Sequence, residues 1–245
     1  TVKTVPDGME PASDVANLAI MGYDPAKYYT GRGPFEAASM GIFLAEEDMA
    51  FRCNLVTVSD NILEDYSAGH ITTGEARVLI EMVNKKLGRD DINFYPGISY
   101  RHLMILRGQS VSARCIHPHD IPGQLIDENL PKGEGANLLK KLILSSREFL
   151  ESHEINLKRK AQGKRPANMI WLWGQGTNPQ MPTLAEKYGI SGSVISAVNL
   201  IKGIGFFAGL KILEVPGATG YFDTDYQAKG RFALQALTEE DFVFV

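Results

Sequence analysis

The strongest periodic signal in this chain is a helix over residues 135–153, where Leu138, Leu139, Leu142, Ile143 and Leu150 recur at helical spacing. The apolar runs that follow it are too short for helices. They fall at 169–173, 194–197 and 210–215 and in the closing Phe242-Val243-Phe244-Val245. A chain mixing amphipathic helices with short buried strands has to stack them in layers around shared cores. Upstream, Ala76, Leu79, Ile80, Val83 and Leu87 predict a helix over 72–87. Phe51, Cys53, Leu55, Val56 and Val58 predict a strand over 50–58, and further strands are expected at 100–106 and 112–116. Segment 199–208 separates two late strands, and a helix over 225–237 feeds the last one. Val2-Lys3-Thr4-Val5 reads as the end of a strand.

Residues 156–167 are basic and close on Pro166-Ala167. They read as a solvated connector near a domain boundary. Without interleaved aromatics they do not make a nucleic-acid patch, and a net charge of -4 argues the same way. The 245 residues suit one large domain or two small ones. Cys53 and Cys115 lack metal-type spacing, so reduced thiols and a cytoplasmic location are expected. No apolar run approaches the ~20 residues of a membrane span, and no leader segment is visible. The chain starts at Thr1 and stops inside an apolar strand, which reads as an internal fragment. Ligands of an open α/β sheet sit beyond strand carboxyl ends. They are therefore expected after Val245.

Chemistry is concentrated near the start. Pro11-Ala12-Ser13-Asp14 opens a short helix whose face carries Val15, Leu18 and Ala19. Ser13 there is either a helix N-cap or a hydroxyl that receives phosphate among unpaired backbone N–H groups. Asp14 reads as a stabiliser of the helix terminus rather than a base. Arg32, between two glycines, is a turn arginine or a phosphate clamp. Trp171 and Trp173 are expected to divide between the core and a cleft or interface.

Seven blocks carry a resemblance. They are Ser13-Asp14-Val15-Ala16-Asn17-Leu18, Gly22-Tyr23-Asp24-Pro25, Tyr28-Tyr29-Thr30-Gly31-Arg32-Gly33-Pro34, Phe51-Arg52-Cys53-Asn54-Leu55-Val56-Thr57, Asp65-Tyr66-Ser67-Ala68-Gly69-His70-Ile71, Trp171-Leu172-Trp173-Gly174-Gln175-Gly176 and Val215-Pro216-Gly217-Ala218-Thr219-Gly220-Tyr221. Together they resemble the archaeal-type cofactor-independent phosphoglycerate mutases of the alkaline phosphatase superfamily, over essentially the whole chain. The resemblance implies an α/β phosphatase-like core with a mostly parallel sheet, residues 1–45 and 166–245, interrupted by a smaller α+β insert at 46–165. It implies two divalent metals (manganese, magnesium or zinc) and no 2,3-bisphosphoglycerate. Ser13 becomes the phosphate-accepting nucleophile and a metal contact. The remaining metal ligands are expected outside this chain, so a fragment of this extent is expected to be inactive alone. Ala12 departs from the family's usual glycine, which puts the local turn in question.

On the substrate side the resemblance implies His70, Lys202 and the pair His119-Asp120, where His119 replaces an arginine. Arg101 is expected to supply a missing bidentate donor. His117-Pro118-His119-Asp120 has a generic spacing and by resemblance lies away from the metals. It is therefore read as a substrate contact rather than a metal site. Bland alternatives stand beside each: His70 as a helix-capping surface residue, Arg101 in a structural ion pair, Lys202 as a solvated lysine. The implied activity is interconversion of 3-phosphoglycerate and 2-phosphoglycerate in glycolysis and gluconeogenesis. A homoserine kinase-like branch, a metal-dependent phosphatase and a fragment without an active site remain alternatives. His70 favours the mutase, because the kinase-like branch tends to carry another polar residue there. The expected partner is a small molecule, with no nucleic acid and no membrane; the sequence leaves the oligomeric state open.

Overall fold

Helix α1 (Ser13–Ile20) buries Val15 and Leu18, the face its spacing predicts. It stops at Met21-Gly22, where Gly22 adopts φ +83°. Asp24 then caps α2 (Pro25–Tyr28) by accepting from the Ala26 N–H at 3.0 Å, and Pro34 sits in the first turn of α3 (Gly33–Ser39). The computed structural model describes residues 3–245. Thr1 and Val2 of the expected opening strand lie outside the described residues, and Lys3–Val5 join no strand. The chain divides into two units. One ends its first segment at Phe43 and resumes at Pro179; the other is Leu44–Asn178.

The Leu44–Asn178 unit is built on β1 (Met49–Ser59), buried along nearly its whole length. It pairs antiparallel with β2 (Ile62–Asp65), which returns through a tight turn. Helix α4 (Thr73–Leu87) starts at a capping box between Thr72 and Glu75, two residues whose side chains satisfy each other's backbone N–H. Strands β3 (Ile92–Ile98) and β4 (Arg101–Leu106) form a hairpin, and β4 lies against β1 with Phe51 opposite Met104 and Cys53 opposite His102. After a short α5 (Ile126–Asn129) come α6 (Ala136–Leu150), α7 (Glu154–Ala161) and β5 (Met169–Thr177), which pairs antiparallel with β1. Helices α4 and α6 pack on β3 and β5 and on each other. His102 is buried in this sheet. Its Nδ1 accepts the Gly97 N–H at 3.0 Å, and its Nε2 has no partner among the described residues. Burial, with Arg101 adding to it, pushes its pKa down to about 3.

Three expectations fail here. Residues 112–116 form no strand, only an isolated bridge between Arg114 and Lys132. Their backbone carbonyls serve side chains instead: Ile116 O accepts the Trp171 indole N–H at 2.9 Å, and Ala113 O accepts from Gln175. The basic segment is not a solvated connector but contains α7, whose Asn156 and Arg159 are buried. Finally, the junction expected near 166 lies after Asn178, because β5 completes the antiparallel sheet.

The first unit resumes with α8 (Leu184–Tyr188), opened by a second capping box between Thr183 and Glu186. Strand β6 (Gly192–Val194) is central, flanked in parallel by β7 (Lys211–Ile212) and β8 (Phe242–Phe244). Helix α9 (Asn199–Phe207) lies between β6 and β7, and α10 (Tyr226–Ala236) leads to β8. A Cβ on Gly203 of α9 would stand 1.7 Å from the Phe35 carbonyl oxygen, so α9 and α3 touch backbone to backbone. Leu18, Phe35, Leu184, Val194, Leu200 and Ile204 form this unit's core. The chain is thus α/β, with a small parallel sheet in this unit. The antiparallel unit is the larger of the two.

Candidate functional site

Ser13 is the first residue of α1, not its cap. The N-cap is Ala12, with φ -145° and ψ 152° and no side-chain cap bond. That conformation is extended, so alanine replaces the expected glycine without strain. The Ser13 side chain is exposed and makes no hydrogen bond among the described residues. A helix leaves its first N–H groups without intrahelical acceptors. Here Ala16 donates to Ala12 O and Val15 to Asp14 Oδ1, leaving those of Ser13 and Asp14 at the tip. Asp14 is buried and accepts the Tyr29 hydroxyl at 2.7 Å, so it ties α1 to the Tyr29 segment beyond any effect on the helix terminus. An exposed hydroxyl at a helix N-terminus can carry a phosphoryl group whose charge the N–H groups meet.

The two candidate cations of this unit are engaged. Arg32 pairs with Glu36 at 3.0 Å, and Lys202 reaches both carboxylate oxygens of Glu214 at 2.6 and 2.8 Å. No hydrogen bond or ion pair among the described residues joins either to Ser13.

In the Leu44–Asn178 unit, His70 ends a loop in which Ala68, Gly69 and His70 all have positive φ, at +50°, +63° and +49°. Left-handed backbone at non-glycine residues costs about 1–3 kcal/mol each and persists only where the surroundings over-determine it. They do. Asp65 Oδ1 accepts the N–H and hydroxyl of Ser67 at 2.7 and 2.6 Å, and Oδ2 accepts the Gly69 N–H at 2.9 Å and Arg165 at 2.7 Å. Burial alone would raise the Asp65 pKa, but these donors outweigh it and hold it at about 2. Arg159 donates to Ala68 O at 2.8 Å, to Glu75 at 2.9 Å and to Arg165 O at 2.9 Å. Beyond the loop, Ser99 Oγ donates to Ile71 O at 2.7 Å. The capping role belongs to Thr72, so His70 is not a helix cap.

From this loop a run of rings crosses the unit. His70 meets Tyr100 at 6.0 Å between centroids, Tyr100 meets Tyr66 at 5.9 Å, and Tyr66 meets His119 at 6.2 Å. His119 and His117 stand 5.3 and 4.7 Å from Trp173, and the Arg52 guanidinium lies 4.2 Å over the same indole. Arg101 is exposed, 5.3 Å over Tyr100, and joins no carboxylate among the described residues. His70, Arg101, His119 and Asp120 therefore gather along one ring-lined stretch. Both tryptophans are buried, contrary to the expected division, because residues two apart on a strand share a face. The Trp173 indole N–H donates to Asn54 at 3.0 Å.

Sequence reasoning missed the supports: Asp65, Ser67, Arg159, Arg165, Tyr66 and Tyr100. Asp65 and Ser67 stand in the block that singled out His70, and that spacing was the available signal. Arg159 and Arg165 gave none.

Among the described residues, one group of three metal-ligating types converges: His117, His119 and Asp120, with ligand atoms within 4.8 Å of one another. No such group of three lies at Ser13 among the described residues. The described residues thus do not by themselves assemble a two-metal site around the serine.

A family model described as 2,3-bisphosphoglycerate-independent phosphoglycerate mutase matches residues 1–156. A mutase of that description from Methanosarcina acetivorans is 54% identical over 99% of this chain and 62% of its own length. A probable one from Geobacter sulfurreducens is 51% identical over 99% and 62%. Among solved structures, a Pyrococcus horikoshii protein superposes with TM-score 0.76 at 28% identity, covering 98% of this chain and 57% of its own. A cofactor-independent phosphoglycerate mutase from Thermoplasma acidophilum gives 0.62 at 25% identity, covering 96% and 64%. The chain spans about three fifths of the length of the curated relatives it matches. The matched model covers the Ser13 helix, the His70 loop and the ring-lined stretch as far as Asp120, and on that extent the chain belongs to the 2,3-bisphosphoglycerate-independent phosphoglycerate mutase family.

Proposed function

We propose that the whole protein interconverts 3-phosphoglycerate and 2-phosphoglycerate, in the cytoplasm, through a phosphoserine at Ser13. The observation that carries the reading is a serine hydroxyl exposed at the N-terminus of α1 and committed to no cap. In the first step Ser13 Oγ bonds to phosphorus and the bond to the C3 oxygen breaks, with a proton restoring the C3 hydroxyl. In the second the 2-hydroxyl of the retained glycerate takes the phosphoryl group and Ser13 recovers its hydroxyl. Phosphoryl transfer of this kind needs positioning and charge stabilisation more than covalent help. The first-turn N–H groups supply part of that. Two divalent ions (manganese, magnesium or zinc), with no 2,3-bisphosphoglycerate, supply further charge neutralisation when bound. Of their ligands this chain offers Ser13.

Retaining glycerate through reorientation requires donors for its carboxylate. We assign that task to Arg101, His70 and His119, with Asp120 beside His119 in the same substrate-facing group. Arg101 is the strongest of these, exposed and without a carboxylate partner among the described residues. Arg32 and Lys202 serve only if the substrate displaces Glu36 and Glu214.

Brief exposure of the metal-loaded whole protein to 3-phosphoglycerate, followed by acid quench and peptide mapping, should find phosphate on Ser13. Mutase activity should survive removal of 2,3-bisphosphoglycerate and vanish with a chelator. Release of inorganic phosphate without 2-phosphoglycerate would assign a phosphatase instead. Transfer to homoserine from a nucleotide would assign the kinase-like branch.

A further inference from the structure

We propose that His117, His119 and Asp120 form a binding site for one divalent transition ion of the zinc class. The local chain geometry brings them together. Pro118–Asp120 is a single 3₁₀ turn, with the Asp120 N–H donating to His117 O at 3.1 Å. In such a turn residues three apart eclipse, which stacks Asp120 over His117. Pro118 is buried beneath, and Gln124 donates to Asp120 O at 3.3 Å.

The spacing is that of ligands around an ion rather than of groups bonded to each other. His117 Nδ1 stands 3.5 Å from one Asp120 oxygen, and His119 Nε2 stands 3.7 Å from the other. Both exceed good hydrogen bonds. In a tetrahedral zinc site with bonds of about 2.0–2.1 Å, neighbouring ligand atoms sit about 3.4 Å apart. The two imidazoles stack at 5.2 Å with 28° between planes, and both lean on Trp173, so their rings are held while their edges reach solvent. Two imidazoles and one carboxylate select zinc, nickel or copper over magnesium and calcium, and leave coordination positions open.

The proposal deepens the reading above, because His119 and Asp120 are among the assigned substrate contacts. An ion there would present its open positions to a carboxylate or phosphate oxygen. Binding is measured without substrate, so failure of the site and failure of the mutase reading show in different experiments.

Zn²⁺ is titrated by calorimetry into the metal-depleted whole protein and into a His117→Ala/His119→Ala variant. The wild type should take up one equivalent more than the variant, and Asp120→Asn should weaken that extra equivalent roughly tenfold or more. Cu²⁺ should quench a component of tryptophan fluorescence that is absent in Trp173→Phe and in the double variant. Equal zinc stoichiometry in wild type and double variant overturns the proposal. So does an unchanged affinity in Asp120→Asn. All three ligand residues are at least partly exposed, and matching circular dichroism spectra will show that the variants fold.

Discussion

The chain presents two of its proposed site residues in opposite ways. Ser13 sits at an ordinary helix start, after an extended alanine and with nothing among the described residues bonded to its hydroxyl. His70 sits at the end of three consecutive left-handed residues, pinned by Asp65, Arg159 and Arg165. One device costs the fold almost nothing. The other stores strain that distant residues have to hold. The difference suits the proposed tasks, since the acceptor hydroxyl has to be open to the incoming phosphoryl group while a substrate donor has to be held against its ligand.

Removing the serine is the sharpest way to break this comparison. Ser13→Ala should lower mutase activity at least ~1,000-fold while the unfolding midpoint stays unchanged, because the hydroxyl caps nothing. A stability loss of a full cap, roughly 0.5–2 kcal/mol, would mean that Ser13 has a structural role after all.

The His70 loop should behave in reverse. Asp65→Ala strips acceptors from two backbone N–H groups, the Ser67 hydroxyl and Arg165. The expected loss is about 2–4 kcal/mol by denaturant unfolding, with hydrogen exchange at Ser67–His70 accelerated more than in α6.

Acid should discriminate as well. His102 is buried neutral with a pKa near 3 against an ordinary 6.5. Between those values the unfolded chain binds a proton that the folded chain refuses, so stability falls as pH drops from 6.5 toward 3. Asp65, held at about 2, adds a further loss below its ordinary 3.8. Both groups lie in the Leu44–Asn178 unit. Urea midpoints measured from pH 7 to pH 4 should decline, and a His102→Asn variant should show a shallower decline.

The smallest effects are expected at two alanines. Ala12→Gly should shift stability by a few tenths of a kcal/mol at most, since glycine's better fit at an N-cap offsets the freedom it adds to the unfolded chain. Ala68→Gly relieves the +50° φ but adds the same freedom and removes a fully buried methyl, so it should be the more costly of the two in denaturant midpoint. A larger loss in Ala12→Gly than in Ala68→Gly would remove the contrast.

How much could be read beforehand follows from where each constraint lies. The helices at α4 and α6 and the strand β1 were legible because their apolar faces are periodic and local. Ser13 was legible because a helix start is written in adjacent residues. Residues 112–116 looked like a strand, yet their carbonyls were taken by Trp171 and Gln175, some sixty residues downstream. The burial of Arg159 was equally hidden, since its partners Ala68 and Glu75 are more than eighty residues away. Short β2 and the seven-residue β3 carry too little pattern to stand out. Long-range polar pairing has no periodicity, so it leaves no trace in composition or spacing.

Strands β1 and β5 have one more consequence, for synthesis. They pair at Met49 and Thr177, and Asn178 donates to Leu44 O at 3.0 Å, so this unit closes on itself with entry and exit side by side. All of its residues are contiguous, and it can complete its sheet once Asn178 has left the ribosome. The surrounding unit cannot. Leu18 and Phe35 emerge before that sheet, but Leu200 and Ile204, which share their core, come more than 160 residues later. At roughly 5–20 residues per second that is a wait of many seconds with apolar side chains in water. Nascent chains stalled just past Asn178 are therefore where a chaperone should be found, on α1 and α3 rather than on the finished sheet.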